Sequence, residues 1–82
     1  MRFQNLDLNL LVALDVLLET QSVTEAARRL HLSQPSVSAA LGRMRRYFAD
    51  DLLVQVGRRM IPTAKGQELG PAIKEMLNIV RF

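Results

Sequence analysis

Between Leu30 and Pro35 the chain has four residues in which to finish one helix and begin the next. Upstream, Ser22-Val23-Thr24-Glu25 reads as a capping box that opens a helix running to about Leu30. In that motif the Ser22 hydroxyl serves the third amide and Glu25 reaches back to the cap's own amide. Downstream, Ser33 or Gln34 caps a helix with Pro35 in its first turn, where the missing amide hydrogen removes no helical bond. His31 and Leu32 are left for the turn. Helices joined this closely cross at a wide angle and meet near the turn. Ala27, at the closest approach, therefore has to be small. Ala26, Leu30, Leu32, Val37 and Ala40 supply the packing between the two helices and onto the helix before them. His31 takes the turn position that calls for positive φ, a place often held by glycine and less costly for histidine than for a β-branched residue.

The preceding segment, Asp7 to Thr20, is apolar nearly all round (Leu8, Leu10, Leu11, Val12, Leu14, Val16, Leu17, Leu18), which describes a helix buried on more than one side. After the turn, Val37, Leu41, Met44 and Phe48 form a buried stripe. Leu52 to Val56 and Met60 to Pro62, separated by Gly57-Arg58-Arg59, read as a hairpin with glycine at its turn. Thr63 caps a last helix whose apolar residues Leu69, Ile73, Met76, Leu77 and Val80 would be exposed on an isolated domain and suit a partner helix. Gly70-Pro71 interrupts that pattern, and one helix kinked there is expected. The fold class is mainly α: a winged helix-turn-helix over residues 1–62, with a three-helix core and a short two-stranded wing, then a long linker or dimerisation helix over 63–82.

A chain of 82 residues, 49% hydrophobic and 23% charged, suits one compact domain. It has no cysteine and one histidine, which excludes disulfides and thiolate metal sites. Its carboxylates sit mostly where caps or surface charges belong, so no acid, base and nucleophile converge; neither catalysis nor a cofactor or metal in this domain is expected. The apolar run from Leu8 to Leu18 is broken by Asn9 and Asp15 and lacks a basic leader and a cleavage site. It reads as neither signal peptide nor membrane span, and a soluble, cytoplasmic domain is expected. The net charge is +3, but from Ser22 to Lys65 eight basic residues (Arg28, Arg29, Arg43, Arg45, Arg46, Arg58, Arg59, Lys65) face three acidic ones.

Opposite the apolar stripe of the helix after the turn lie Pro35, Ser38, Ala39 and Gly42, with Ser36, Arg43 and Arg46 on the flanks. A slim, uncharged face edged with cations fits a major groove about 12 Å wide, small side chains meeting base edges and arginines meeting phosphates. Gln34 leads the base-reading set. The plain alternative is that Arg43, Arg45 and Arg46 complement the negative end of the helix, worth about 0.3 to 1 kcal/mol each. Gly42 argues against that, because it costs roughly 1 kcal/mol in a helix interior and makes sense where another backbone comes close. Arg58 and Arg59 at the wing tip suit an adjacent minor groove. A protein-interaction module, with function on the first and last helices, is the competing reading.

The run Ala26-Ala27-Arg28-Arg29-Leu30-His31-Leu32-Ser33-Gln34-Pro35-Ser36-Val37-Ser38 resembles the helix-turn-helix signature of LysR-type transcriptional regulators, Ser-Gln-Pro being its most specific element. The likeness extends from Leu6-Asp7-Leu8-Asn9-Leu10-Leu11 to Pro62-Thr63-Ala64-Lys65-Gly66, which resembles the start of the family's linker helix. Asp50-Asp51-Leu52-Leu53 and Val56-Gly57-Arg58-Arg59 look like the branch holding nodulation-gene activators and regulators of aromatic-compound catabolism. By this resemblance Gln34, Pro35, Ser38 and Ala39 meet bases, Ser33, Ser36 and Arg43 meet phosphates, and Arg58 enters the minor groove of promoter DNA. It also implies a homodimer through the linker helix, a tetramer at full length, and a further C-terminal domain, absent from this chain, that binds a small inducer, aromatic if the branch holds. Two positions depart from the family pattern: Leu53 stands for the usual phenylalanine and Gln55 for the usual arginine of the first wing strand, which puts a phosphate contact from Gln55 in doubt.

Overall fold

The computed structural model describes residues 7–80. Leu6 and the last two residues of the 63–82 linker segment lie outside them. Four helices and one hairpin follow one another: α1 (Leu8–Thr20), α2 (Val23–Leu30), α3 (Gln34–Phe48), β1 (Leu53–Val56), β2 (Arg59–Pro62) and α4 (Ala64–Val80). The expected elements are all present, and α4 continues through Pro71.

α1 is the centre of the domain. Asp7 caps it through the Asn9 amide (2.8 Å), and α2, α3, α4 and β2 all pack on it. Its all-round apolar sequence is explained by that position: Leu10, Leu11, Leu14 and Leu17 are buried together with Ala26, Ala27, Val37, Leu41, Met44, Leu52, Leu53, Met60, Ile73 and Leu77. Burying each such leucine contributes about 1.5–3 kcal/mol.

Each of the first three helices is closed by a residue in the left-handed region, and none of the three is glycine: Gln21 (φ 55), His31 (φ 56) and Ala49 (φ 52). The positive φ expected at His31 is there. Ser22 caps α2 through the Glu25 amide (3.1 Å), but the reciprocal half of the capping box is not formed. The Glu25 carboxylate instead pairs with the Arg28 guanidinium, and the Ser22 amide donates to Thr20 Oγ1 (3.3 Å). Leu32 also departs from expectation: it is 48% exposed, because it precedes the Ser33 cap and sits outside the seam that Ala26, Ala27 and Val37 close.

The wing pairs antiparallel in the register Leu53↔Pro62, Val54↔Ile61, Gln55↔Met60 and Val56↔Arg59, leaving the two-residue turn Gly57-Arg58. Only Gly57 of that pair has positive φ (62), the pattern of a type II′ turn. The turn is thus one residue shorter than expected, and Arg59 belongs to β2.

The joint from wing to α4 explains Pro62-Thr63-Ala64-Lys65-Gly66. Thr63 caps α4 by accepting the Gly66 amide (3.1 Å), and its hydroxyl donates to Asp50 Oδ2 (2.7 Å). Leu52, held at φ 64, turns its carbonyl toward this turn, where it accepts the Thr63 amide (2.9 Å). A β-carbon at Gly66 would stand 2.2 Å from that carbonyl oxygen, so only glycine fits.

α4 is tied to α1 by packing and charge. Ile73 and Leu77 are buried, 3% and 2% exposed, so these two of the five residues assigned to a partner helix belong to the chain's own core. Leu69 is half-buried against the same cluster. The sequence shows an apolar stripe but not which body covers it, and here α1 covers its inner edge. Lys74 pairs with the buried Asp15 (3.1 Å) and with Glu19 (3.2 Å), which also pairs with Arg29 of α2 (2.8 Å). These contacts raise Lys74 above its usual range, Asp15 contributing most.

Candidate nucleic-acid interface

α3 has two faces. Val37, Leu41 and Met44 are buried at 0%, 4% and 1% exposure. Gln34, Pro35, Ser38 and Ala39 are exposed on the surface, as are Ser33, Ser36, Arg43 and Arg46. Seven of these eight residues therefore lie on α3, and Ser33 stands at its start.

Ser33 is the N-cap of α3, not Gln34. It accepts the Ser36 amide (3.1 Å), and its hydroxyl donates to Ser36 Oγ (2.8 Å). This ties down the start of the helix and presents Gln34 and Pro35 in its first turn. Gly42 has no close neighbour: an added β-carbon would meet only the tip of Arg46, at 3.7 Å. The fold makes no demand for glycine there.

The basic residues divide into two sets. Arg28 and Arg29 are matched by Glu25 and Glu19, whose carboxyls are held below their ordinary range, Glu25 first by Arg28 and Glu19 first by Arg29 and then by Lys74. Arg45 donates Nε to the Asp51 carbonyl (2.8 Å) and a terminal nitrogen to the Leu53 carbonyl (2.7 Å). Arg59 was expected at the wing tip beside Arg58, but it opens β2 and its guanidinium is bonded to Gln21 Oε1. Arg43, Arg46 and Arg58 make no such side-chain bond or ion pair among the described residues and stay exposed. Gln55 donates its amide to the Gly57 carbonyl (2.8 Å), bracing the wing turn.

Two residues of this region were missed by reading the sequence. Arg45 looks like its neighbours by type, although a helical wheel sets it beside Leu41 rather than opposite the apolar stripe. Gln21 offers no signal, since its contacts with Arg59 and with the Met60 amide (2.9 Å) cross more than thirty residues.

A helix pair closed by a tight turn, a third helix beneath it and a two-stranded wing beside it define a winged helix-turn-helix domain. Residues 8–67 match the family described as bacterial regulatory helix-turn-helix protein, lysR family. The chain belongs to that family. It is 54% identical over 77 residues, 94% of its length, to nodulation protein D 1 of Rhizobium leguminosarum bv. phaseoli, covering 24% of that protein. It is also 54% identical over all 82 residues to nodulation protein D 2 of Sinorhizobium fredii, covering 26% of it. The chain thus spans about a quarter of the length of these relatives. Among solved structures, the probable transcriptional regulator PA0477 from Pseudomonas aeruginosa superposes with a TM-score of 0.91 at 37% identity, over 95% of this chain and 26% of that one. A complex of the BenM DNA-binding domain with benA site 1 DNA superposes with a TM-score of 0.87 at 25% identity, over 93% of this chain and 88% of that one.

Proposed function

We propose that this domain binds double-stranded promoter DNA and selects its sequence to regulate transcription. α3 enters the major groove with Gln34, Pro35, Ser38 and Ala39 toward base edges. Ser36, Arg43 and Arg46 meet flanking phosphates, Ser33 supports that row as the cap, and Arg58 reaches the adjacent minor groove. The carrying observation is the division of α3 into a buried apolar side and an exposed, uncharged, small-residue side, with the unmatched cations Arg43 and Arg46 along it. The likeness to a domain solved with DNA supports the same reading.

A salt series on duplex DNA tests it. The logarithm of affinity falls linearly with the logarithm of salt, by about 0.9 per phosphate neutralised. Affinity that does not change with salt would overturn the reading.

Dimerisation belongs to the outer edge of α4, where Met76, Ile79 and Val80 are 40%, 72% and 53% exposed. Sedimentation of this chain is expected to give a dimer that Ile79→Glu dissociates; an unchanged mass would count against that edge. A full-length regulator of this kind would work at the bacterial nucleoid in the cytoplasm, as a homodimer or tetramer switched by a small inducer outside this domain. Among the described residues no helix is long and apolar enough to cross a membrane.

A further inference from the structure

We propose that Arg45 is a positioning residue that locks the wing to α3, so that the major-groove and minor-groove contacts of the DNA-binding reading are made by one rigid unit. A lone two-stranded hairpin is marginally stable in water, so the angle of this wing has to be set from outside. The structure supplies a hold on each strand. At the entry to β1, the half-buried Arg45 side chain spans the carbonyls of Asp51 (2.8 Å) and Leu53 (2.7 Å), bracketing the fully buried Leu52. On β2, Gln21 accepts the Met60 amide (2.9 Å) through its backbone and the Arg59 guanidinium through its side chain.

The two holds differ in what they join. Gln21 ties the wing to the end of α1, part of the central scaffold. Arg45 ties it to α3 itself, and at 3.6 residues per turn it stands on the flank that carries Gln34 and Ser38. The guanidinium is a planar fork whose donors can serve two separate acceptors at once, whereas the lysine ammonium is a single compact centre. Loss of the fork releases β1 and disconnects Arg58 from the helix that would be reading bases.

This inference rests on the DNA-binding reading for its consequence but not for its mechanics, and the experiment separates the two. Amide hydrogen exchange without DNA, on the parent, Arg45→Lys and Arg45→Met, follows residues 53–62 against α1. Both variants are expected to speed exchange in the wing about tenfold or more and to leave α1 unchanged, as a local opening does. Lysine failing to rescue marks the fork, not the charge. A duplex-binding cycle with Arg58→Ala then reads the coupling. Arg58→Ala is expected to lower affinity about tenfold in the parent and less than about twofold in either Arg45 background, within the range for residues of one network. Unchanged wing exchange, or losses that simply multiply, would overturn the proposal. Duplex affinity restored by Arg45→Lys while wing exchange stays fast would also overturn it, by making Arg45 a phosphate contact. A parent that binds no duplex would remove the functional reading, and the exchange data alone would then decide whether the lock exists.

Discussion

Two glycines within helices have opposite reasons to be there. In the first turn of α4, Gly66 is buried with the Leu52 carbonyl so close that an added β-carbon would stand 2.2 Å from its oxygen. In the middle of α3, Gly42 meets nothing but the end of Arg46, at 3.7 Å. The first is demanded by the chain's own packing. The second costs stability and gains nothing inside the domain, and the DNA-binding proposal puts a DNA backbone against it. The joint at Gly66 and the face at Gly42 are thus the two kinds of constraint on this sequence, one internal and one external.

The joint at Gly66 is where a substitution has the largest expected effect. Gly66→Ala is expected to destabilise the domain by about 3 kcal/mol or more, because the obstruction is backbone rather than a side chain that can swing away. A thermal melt near that of the parent would show that α4 can shift without cost. On the other face, Arg43→Ala is expected to leave the melt unchanged and to weaken binding to specific and random duplex alike, with the salt slope falling by about 1. Gly42→Ala sharpens the contrast: stability is expected to rise by about 0.5–1 kcal/mol, since alanine is the better helix former, while duplex affinity falls. Higher stability with unchanged affinity would leave Gly42 without an external reason.

Acid addresses the joint from another side and should have the smallest effect. The Thr63 hydroxyl, and after it the Leu52 amide, hold the Asp50 carboxyl below its ordinary value of 3.8. A carboxyl lowered by folding contributes stability that is present above its unfolded value and lost as pH falls through the folded one. Glu19 and Glu25 are lowered in the same sense by Arg29 and Arg28. The urea midpoint should therefore drop between neutral pH and about pH 3, and Asp50→Asn should narrow that drop. An identical drop in the variant would remove Asp50 from the account.

What could be read from the sequence follows the same division. The α2–turn–α3 pair was legible because its signals are local: a cap at Ser22, a small residue at Ala27, a turn at His31 and a proline in the first turn of α3. The exposed face of α3 was legible because helical period sorts Pro35, Ala39 and Arg46 from Val37, Leu41 and Met44. Contacts between elements were not. Periodicity could not say that α1 would cover Ile73 and Leu77, that Leu32 would fall outside the seam, or that Glu25 would choose Arg28 over an amide. Nor could residue type separate Arg45 and Arg59, used inside the domain, from Arg43, Arg46 and Arg58, which are not.

The account stands or falls on whether the exposed side of α3 reads bases. The direct measurement compares parent and Gln34→Ala on two duplexes, one selected by the parent domain from a randomised pool and one of scrambled sequence. The account predicts a loss of about 1–3 kcal/mol on the selected duplex and little on the scrambled one. Equal losses on both would mean that Gln34 carries no sequence information, and would contradict the assignment of this face.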